Sequence, residues 1–256
     1  MSRSLHALAD VAAMTRRNLF AQVRVPALLA TATALPVMWV LLFNYVFGGA
    51  LQDGDVRYID YLVPGVMALA VTFNLNNSSV AVAEDVNKGM IQRFRSLPIT
   101  RWSMLAGRAV FDTLRNLLAL GMILVVGFVA GFRYHDGAGR AIGGIALLLA
   151  FGFAASWLGS LIGLVARNVE TASMGSLLFA IPLTFVSSLF VPLTTMPGWL
   201  QAVAKVNPVT HAVDASRALS LGGAAAEAIT WTLAWTVGLL VLLVPLTARQ
   251  YRKVST

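Results

Sequence analysis

The stretch that decides the fold is Glu84-Asp85-Val86-Asn87-Lys88-Gly89-Met90-Ile91-Gln92-Arg93-Phe94-Arg95-Ser96-Leu97-Pro98-Ile99-Thr100-Arg101-Trp102. Long apolar runs flank it on both sides. Within it, two acids are followed by Lys88, Arg93, Arg95 and Arg101, and Pro98 stops any helix after Leu97. An ionised side chain at the bilayer centre costs about 3 kcal/mol on insertion scales, so this many charges cannot lie in lipid. The segment must protrude into water, and its basic excess puts it on the cytoplasmic side.

A short helix is written into the same residues. Asp85 or Asn87 can cap a helix start, and Met90, Ile91 and Phe94 recur at helical spacing, with Leu97 extending the face. Gln92, Arg93 and Arg95 then face water or a partner. Pattern alone leaves two readings open: a surface that docks a partner, or an interfacial helix that only fixes topology.

Working outward, composition sets the class. Of 256 residues, 58% are hydrophobic and only 12% charged, against about 25% charged in soluble domains. This is an integral membrane protein. There is no cysteine, which removes disulfides, thiol nucleophiles and thiolate metal sites, and the three histidines (His6, His135, His211) show no metal-binding spacing. The net charge of +8 is carried between apolar spans with no aromatic-basic stripe, so a positive-inside pattern explains it and nucleic acid is not expected. The first fifteen residues lack an apolar core with a small-residue cleavage site, so no cleaved signal is expected.

Upstream, residues 4–25 place Leu5, Leu8, Ala12, Leu19 and Val23 near one helical face, with Arg16, Arg17 and Arg24 elsewhere, which reads as an amphipathic helix at the inner interface. Spans are expected at 27–47, 61–83, 105–132, 141–165, 171–191 and 228–247, each long enough for a hydrocarbon core of about 30 Å. The loop 48–60, with Asp53, Asp55 and Asp60 against Arg57, reads as external. The second span has a polar middle: Thr72, Asn74, Asn76, Asn77, Ser78 and Ser79. Buried amides need partners or water, so this half faces protein or a wet cavity. Interhelical bonding and cargo contact both satisfy that demand. Thr72, Asn74, Asn77 and Ser78, with Ser187-Ser188 of the fifth span, are the candidate cargo-path residues.

In the third span, Asp112 and Arg115 share a face and could pair, while Arg108 and Arg115 could snorkel to the headgroups. The fourth span carries Gly152, Ser156 and Ser160, with Gly159 and Gly163 on a neighbouring stripe, a pattern that lets helix backbones approach closely. Residues 192–227 hold two pieces too short to span, separated by Asn207-Pro208, with Asp214 and Arg217 at pairing distance. They read as outer re-entrant or surface half-helices. The bases concentrate on one side of this topology and put both termini in the cytoplasm.

The chain resembles the ABC-2 type export permeases, most nearly the daunorubicin-resistance subgroup. The likeness rests on Glu84-Asp85 with Lys88-Gly89, on residues 93–101, on Gly107-Arg108, Gly131-Phe132-Arg133, Phe190-Val191-Pro192, Met196-Pro197-Gly198-Trp199-Leu200 and Asn207-Pro208. It implies an all-α membrane subunit of six spans in the bacterial inner membrane. It also implies pairing with a second copy, as homodimer or close heterodimer, and with two separate ATP-binding subunits. The coupling helix of such permeases falls on 84–101, which makes Glu84, Asp85, Lys88, Met90, Ile91, Arg93, Phe94, Arg95 and Pro98 the candidate coupling residues. The implied activity is export of an amphipathic drug or lipid-like cargo, with a polysaccharide or glycolipid as alternative cargo. No GxxxxGK[ST] loop occurs, so ATP and magnesium are expected on the partner and no cofactor on this chain. An ion-coupled carrier or channel is the alternative, and Asp112 is the one mid-span carboxylate it could use.

Overall fold

The computed structural model describes residues 3–23, 26–47, 57–90 and 103–254. Among them are α1 (Arg3–Val23), α2 (Pro26–Phe47), α3 (Tyr58–Asn87), α4 (Ser103–Val129) and α5 (Gly137–Val165). There follow α6 (Val169–Phe185), a 3-10 turn (Leu193–Thr195), α7 (Gly198–Val206), α8 (Pro208–Leu221) and α9 (Ala226–Val254), and no strand is present among the described residues. Helices α3, α4, α5 and α9 are long and apolar enough to cross a membrane, whereas α6, with 17 residues, is shorter.

Helix α3 is the hub. It packs against α2, α4, α5, α6 and α8, and Leu62, Val63, Val66 and Val71 are wholly buried along it. Lipid tails are as apolar as leucine, so close packing must hold the helices together. The small residues of α5 supply it. A side chain on Gly159 would bring its Cβ within 2.2 Å of the Leu75 carbonyl oxygen, and one on Gly163 within 2.4 Å of that of Ser79. The glycine stripe of the fourth span is thus the seat of α3.

Several boundaries differ from expectation. Helix α3 begins at Tyr58 and runs to Asn87, so Asp60 lies in its first turn and not in an outer loop. Asp60 is buried, accepting from Arg57 Nε at 3.0 Å and from the Arg133 backbone at 3.1 Å. Asp85 and Asn87 belong to the last turn of α3, not to a helix start. The chain turns at Gly89, whose φ of +66° suits glycine.

Helix α6 stops at Phe185, short of residue 191, and Ser187-Ser188 lie in an irregular segment. Its last carbonyls are served from elsewhere: Asn207 Nδ2 donates to Leu183 O and Val186 O, and Ser187 Oγ to Thr184 O. Of the two short pieces, α7 lies on the surface with Trp199, Val203 and Val206 exposed, while α8 buries Val209, Ala212 and Val213 in the core. In α1, Met14 is buried, whereas Leu19 and Ala12 are exposed. Ala12 and Leu19 of the expected apolar face are thus not on the edge that docks on α4.

Candidate functional site

The polar middle of α3 divides into two edges. One edge staples α6: Asn76 Nδ2 donates to Ser173 O at 3.1 Å and to Ser176 Oγ at 2.7 Å, and Ser79 Oγ to Ala172 O at 3.0 Å. Thr72 is buried and bonds back to Ala68 O at 2.8 Å. This half of the stripe is interhelical glue.

The other edge meets α4. Ser78 Oγ donates to Asp112 Oδ2 at 2.6 Å, and both side chains are fully buried. Arg108, one turn earlier on α4, places Nε 3.5 Å from the same oxygen and donates from Nη2 to Asn77 O at 3.3 Å. Asp112 and Arg115 do not form the expected ion pair. Asp112 spends Oδ2 on Ser78 and Arg108, and Arg115 has no ion pair or hydrogen bond among the described residues. Arg108 is mostly buried, so it serves this pair and does not snorkel to headgroups. Asn77 is exposed and donates to Asn74 Oδ1 at 3.4 Å. Asn74 Nδ2 and Asn116 Nδ2 are buried without an acceptor.

At its C-terminal end α3 joins α1 and α4. Arg17 Nη2 lies 3.2 Å from Asp85 Oδ1, and Thr15 Oγ1 donates to Gly107 O at 3.1 Å. Met14, Arg17, Val82, Asp85, Leu105 and Arg108 line one small cleft there, so Arg108 belongs to both the junction and the polar seam. Glu84 and Lys88 pair at 2.7 Å on the surface, and that hydrogen bond holds the Lys88 ammonium above its ordinary range. Met90 has helical backbone after the Gly89 turn. Ile91, Arg93, Phe94, Arg95 and Pro98 lie outside the described residues.

At its N-terminal end α3 meets a second constellation. Arg217 of α8 is buried, with Nη1 donating to Ser188 O, Nη2 to Leu189 O (both 2.6 Å) and Nε to Tyr61 O at 3.0 Å. Its guanidinium stacks 3.4 Å over the Tyr61 ring. Ser188 Oγ meets Asp214 Oδ1 at 2.6 Å. Ser187 and Ser188 therefore belong to a lock at the Tyr61 end of α3, about 20–26 Å along that helix from the Asn74–Ser78 group. The candidate cargo-path residues are two clusters. Sequence reading did not single out Asn116, the burial of Asp60 or the Arg17–Asp85 pair; Arg133, which donates to Asp60, and Arg17 lie 73 and 68 residues from their partners.

Comparison with known proteins agrees with this architecture. The chain is 37% identical over 227 residues to a daunorubicin resistance ABC transporter permease protein, DrrB1, of Streptomyces coeruleorubidus, covering 89% of this chain and 80% of the relative. It is 27% identical over 230 residues to a probable doxorubicin resistance ABC transporter permease protein, DrrC, of Mycobacterium tuberculosis, covering 88% and 82%. A probable multidrug ABC transporter permease, YbhR, of Escherichia coli is 24% identical over 182 residues, 71% of this chain and 49% of that protein. Residues 9–221 match the family described as ABC-2 type transporter. With most of its length inside that match, and helices suited to crossing a membrane several times, the chain belongs to the ABC-2 type transporter family.

Proposed function

We propose that the chain is the permease subunit of an ATP-driven exporter that moves an amphipathic drug or lipid-like cargo out of the cytoplasm. The observation that carries the reading is the continuity of α3. One unbroken helix of 30 residues joins the lock at Tyr61, the polar seam at Asn74–Ser78 and the junction at Asp85. Such a rod can pass a displacement at its cytoplasmic end to a polar site inside the membrane. Relatives named as drug-resistance and multidrug permeases support the same reading.

In this account α2 and α6 complete six spans, both termini are cytoplasmic in the bacterial inner membrane, and α7 with α8 forms the outer half-helix pair. Two copies, identical or closely related, work with two ATP-binding subunits that carry ATP and magnesium. Residues 84–101 transmit force, with Phe94 seated in a groove of the ATPase and Arg93 and Arg95 steering at its rim. A truncated interface anchor costs about 2 kcal/mol or more, a rim charge far less. Phe94→Ala is therefore expected to release the ATPase or uncouple hydrolysis from export in proteoliposomes, and Arg95→Ala to do much less. Full cargo-stimulated hydrolysis and normal complex yield in Phe94→Ala would sink the docking role.

A further inference from the structure

We propose that the seam between α3 and α4 is a recognition site for the anionic headgroup, phosphate or carboxylate, of an amphiphile, with Arg115 as the residue that selects its charge. This deepens the exporter reading and rests on it. The first argument is charge. Arg108, Asp112 and Arg115 lie within eight residues of α4, and the one carboxylate is committed through Oδ2 to Ser78 and Arg108. The other guanidinium, that of Arg115, makes no direct ion pair with this carboxylate. Arg115 is half-buried and has neither a hydrogen bond nor an ion pair among the described residues.

The second argument is depth. Arg115 lies twelve residues past the start of α4 at Ser103, about 18 Å along the helix axis. Its neighbours Leu114, Leu117 and Leu118 are exposed in the manner of a lipid-facing surface. A cation at that depth is costly unless an anion meets it.

The third argument is the balance of donors and acceptors. Helices α3 and α4 run antiparallel, since Val63 lies against Gly127 and Ser78 bonds Asp112. That register sets Asn74 level with Asn116. Both are at least nine-tenths buried, and both leave Nδ2 without an acceptor; among the described residues of this seam, Asp112 Oδ1 is the one buried acceptor left unmet. Each orphaned donor costs about 1–3 kcal/mol while unmet, so the site lacks acceptor oxygens. Gly152 of α5 lets Asn116 pack directly against the helix backbone, because a Cβ there would lie 2.7 Å from Asn116 Nδ2. Exposed Asn77 stands beside the same pair. A net positive, donor-rich seam suits a phosphate or carboxylate and repels an amphiphilic cation.

The test uses the permease–ATPase complex in phosphatidylcholine nanodiscs, with C12 probes of one chain length: dodecyl phosphate, laurate, dodecyltrimethylammonium and dodecyl maltoside. Binding and ATPase stimulation are read together. The anionic probes are expected to bind most tightly, and Arg115→Gln to weaken them about tenfold, the size of one charge-assisted hydrogen bond. Arg115→Lys should keep part of the preference, and the melting temperature of each variant checks folding. If phosphatidylglycerol nanodiscs abolish probe binding in an Arg115-dependent way and no probe is transported, the anion belongs to resident lipid: the recognition chemistry stands and the cargo assignment is overturned. Equal binding of cation and anion, or anion binding indifferent to Arg115→Gln, overturns the proposal while leaving the exporter reading intact. If no probe of any charge stimulates ATPase activity or is exported but Arg115-dependent anion binding persists, the exporter reading fails instead.

Discussion

Arg217 at the N-terminal end of α3 and Arg115 in the middle of α4 carry the same local signature, an aspartate three residues earlier. Their environments have nothing else in common. Arg217 takes three backbone carbonyls, an aromatic face and Asp214 at 3.8 Å. Arg115 loses Asp112 to Ser78 and Arg108. Spacing on a helix makes a pair geometrically possible, but competitors from other helices decide it. Two of the three carbonyls that hold Arg217, Ser188 O and Leu189 O, are available because α6 ends at Phe185, while the third, Tyr61 O, comes from α3. One arginine is a structural bolt, the other a charge in reserve.

The largest expected effect tests that division directly. Arg217→Ala would remove a donor from three carbonyls, of which Ser188 O keeps the Tyr61 hydroxyl, and would leave Tyr61 without its stacked cation. Breaking a buried charged cluster from one side costs about 3–5 kcal/mol, so the variant should lose much of its stability to SDS or heat in nanodiscs. Arg115→Ala removes no hydrogen bond and should stay within about 1 kcal/mol of the parent. Equal losses at the two sites would erase the distinction.

What could be read from the chain follows the range of the interactions. The amphipathic α1, the break at Asn207-Pro208 and the glycine stripe of α5 are local patterns, and each appears in the structure where the pattern put it. The polar stripe of α3 was legible as a stripe. Its division into a glued edge and an open edge was not, because Asn76 finds Ser173 and Ser176 about a hundred residues later. The pairing of Asp112 depends on Ser78, 34 residues earlier, and that of Asp85 on Arg17, 68 residues earlier. No periodicity carries such information. Asp60 was misplaced for a related reason: an acid before an apolar run looks like loop, and only Arg57 and the Arg133 backbone make its burial tolerable.

An intermediate effect comes from Asp112→Asn. The amide can still accept from Ser78, so packing is kept, but Arg108 loses its counter-charge in a buried setting. A loss of about 1–3 kcal/mol is expected, smaller than that of Arg217→Ala. The same change raises the net charge of the seam. If Arg115 selects an anionic headgroup, Asp112→Asn should therefore bind dodecyl phosphate more tightly while melting earlier. Weaker binding in a folded variant would mean that Asp112 itself contacts the ligand.

The smallest effect is expected from the other aspartate. The Asp214 side chain is 40% exposed and stands 3.8 Å from Arg217 Nη1, too far for a hydrogen bond. Its short contact is with Ser188 Oγ, at 2.6 Å, and an asparagine oxygen can accept that bond equally well. Exposed ion pairs contribute about 0–1 kcal/mol and are screened by salt. Asp214→Asn should therefore shift stability by less than about 1 kcal/mol, with the difference shrinking at high ionic strength. The guanidinium would remain on Tyr61 O, Ser188 O and Leu189 O. A loss as large as that of Arg217→Ala would show that the local aspartate, not the segment after α6, fixes the arginine; helix spacing would then predict pairing at that end of α3 after all, and the contrast with Arg115 would rest on Asp112 alone.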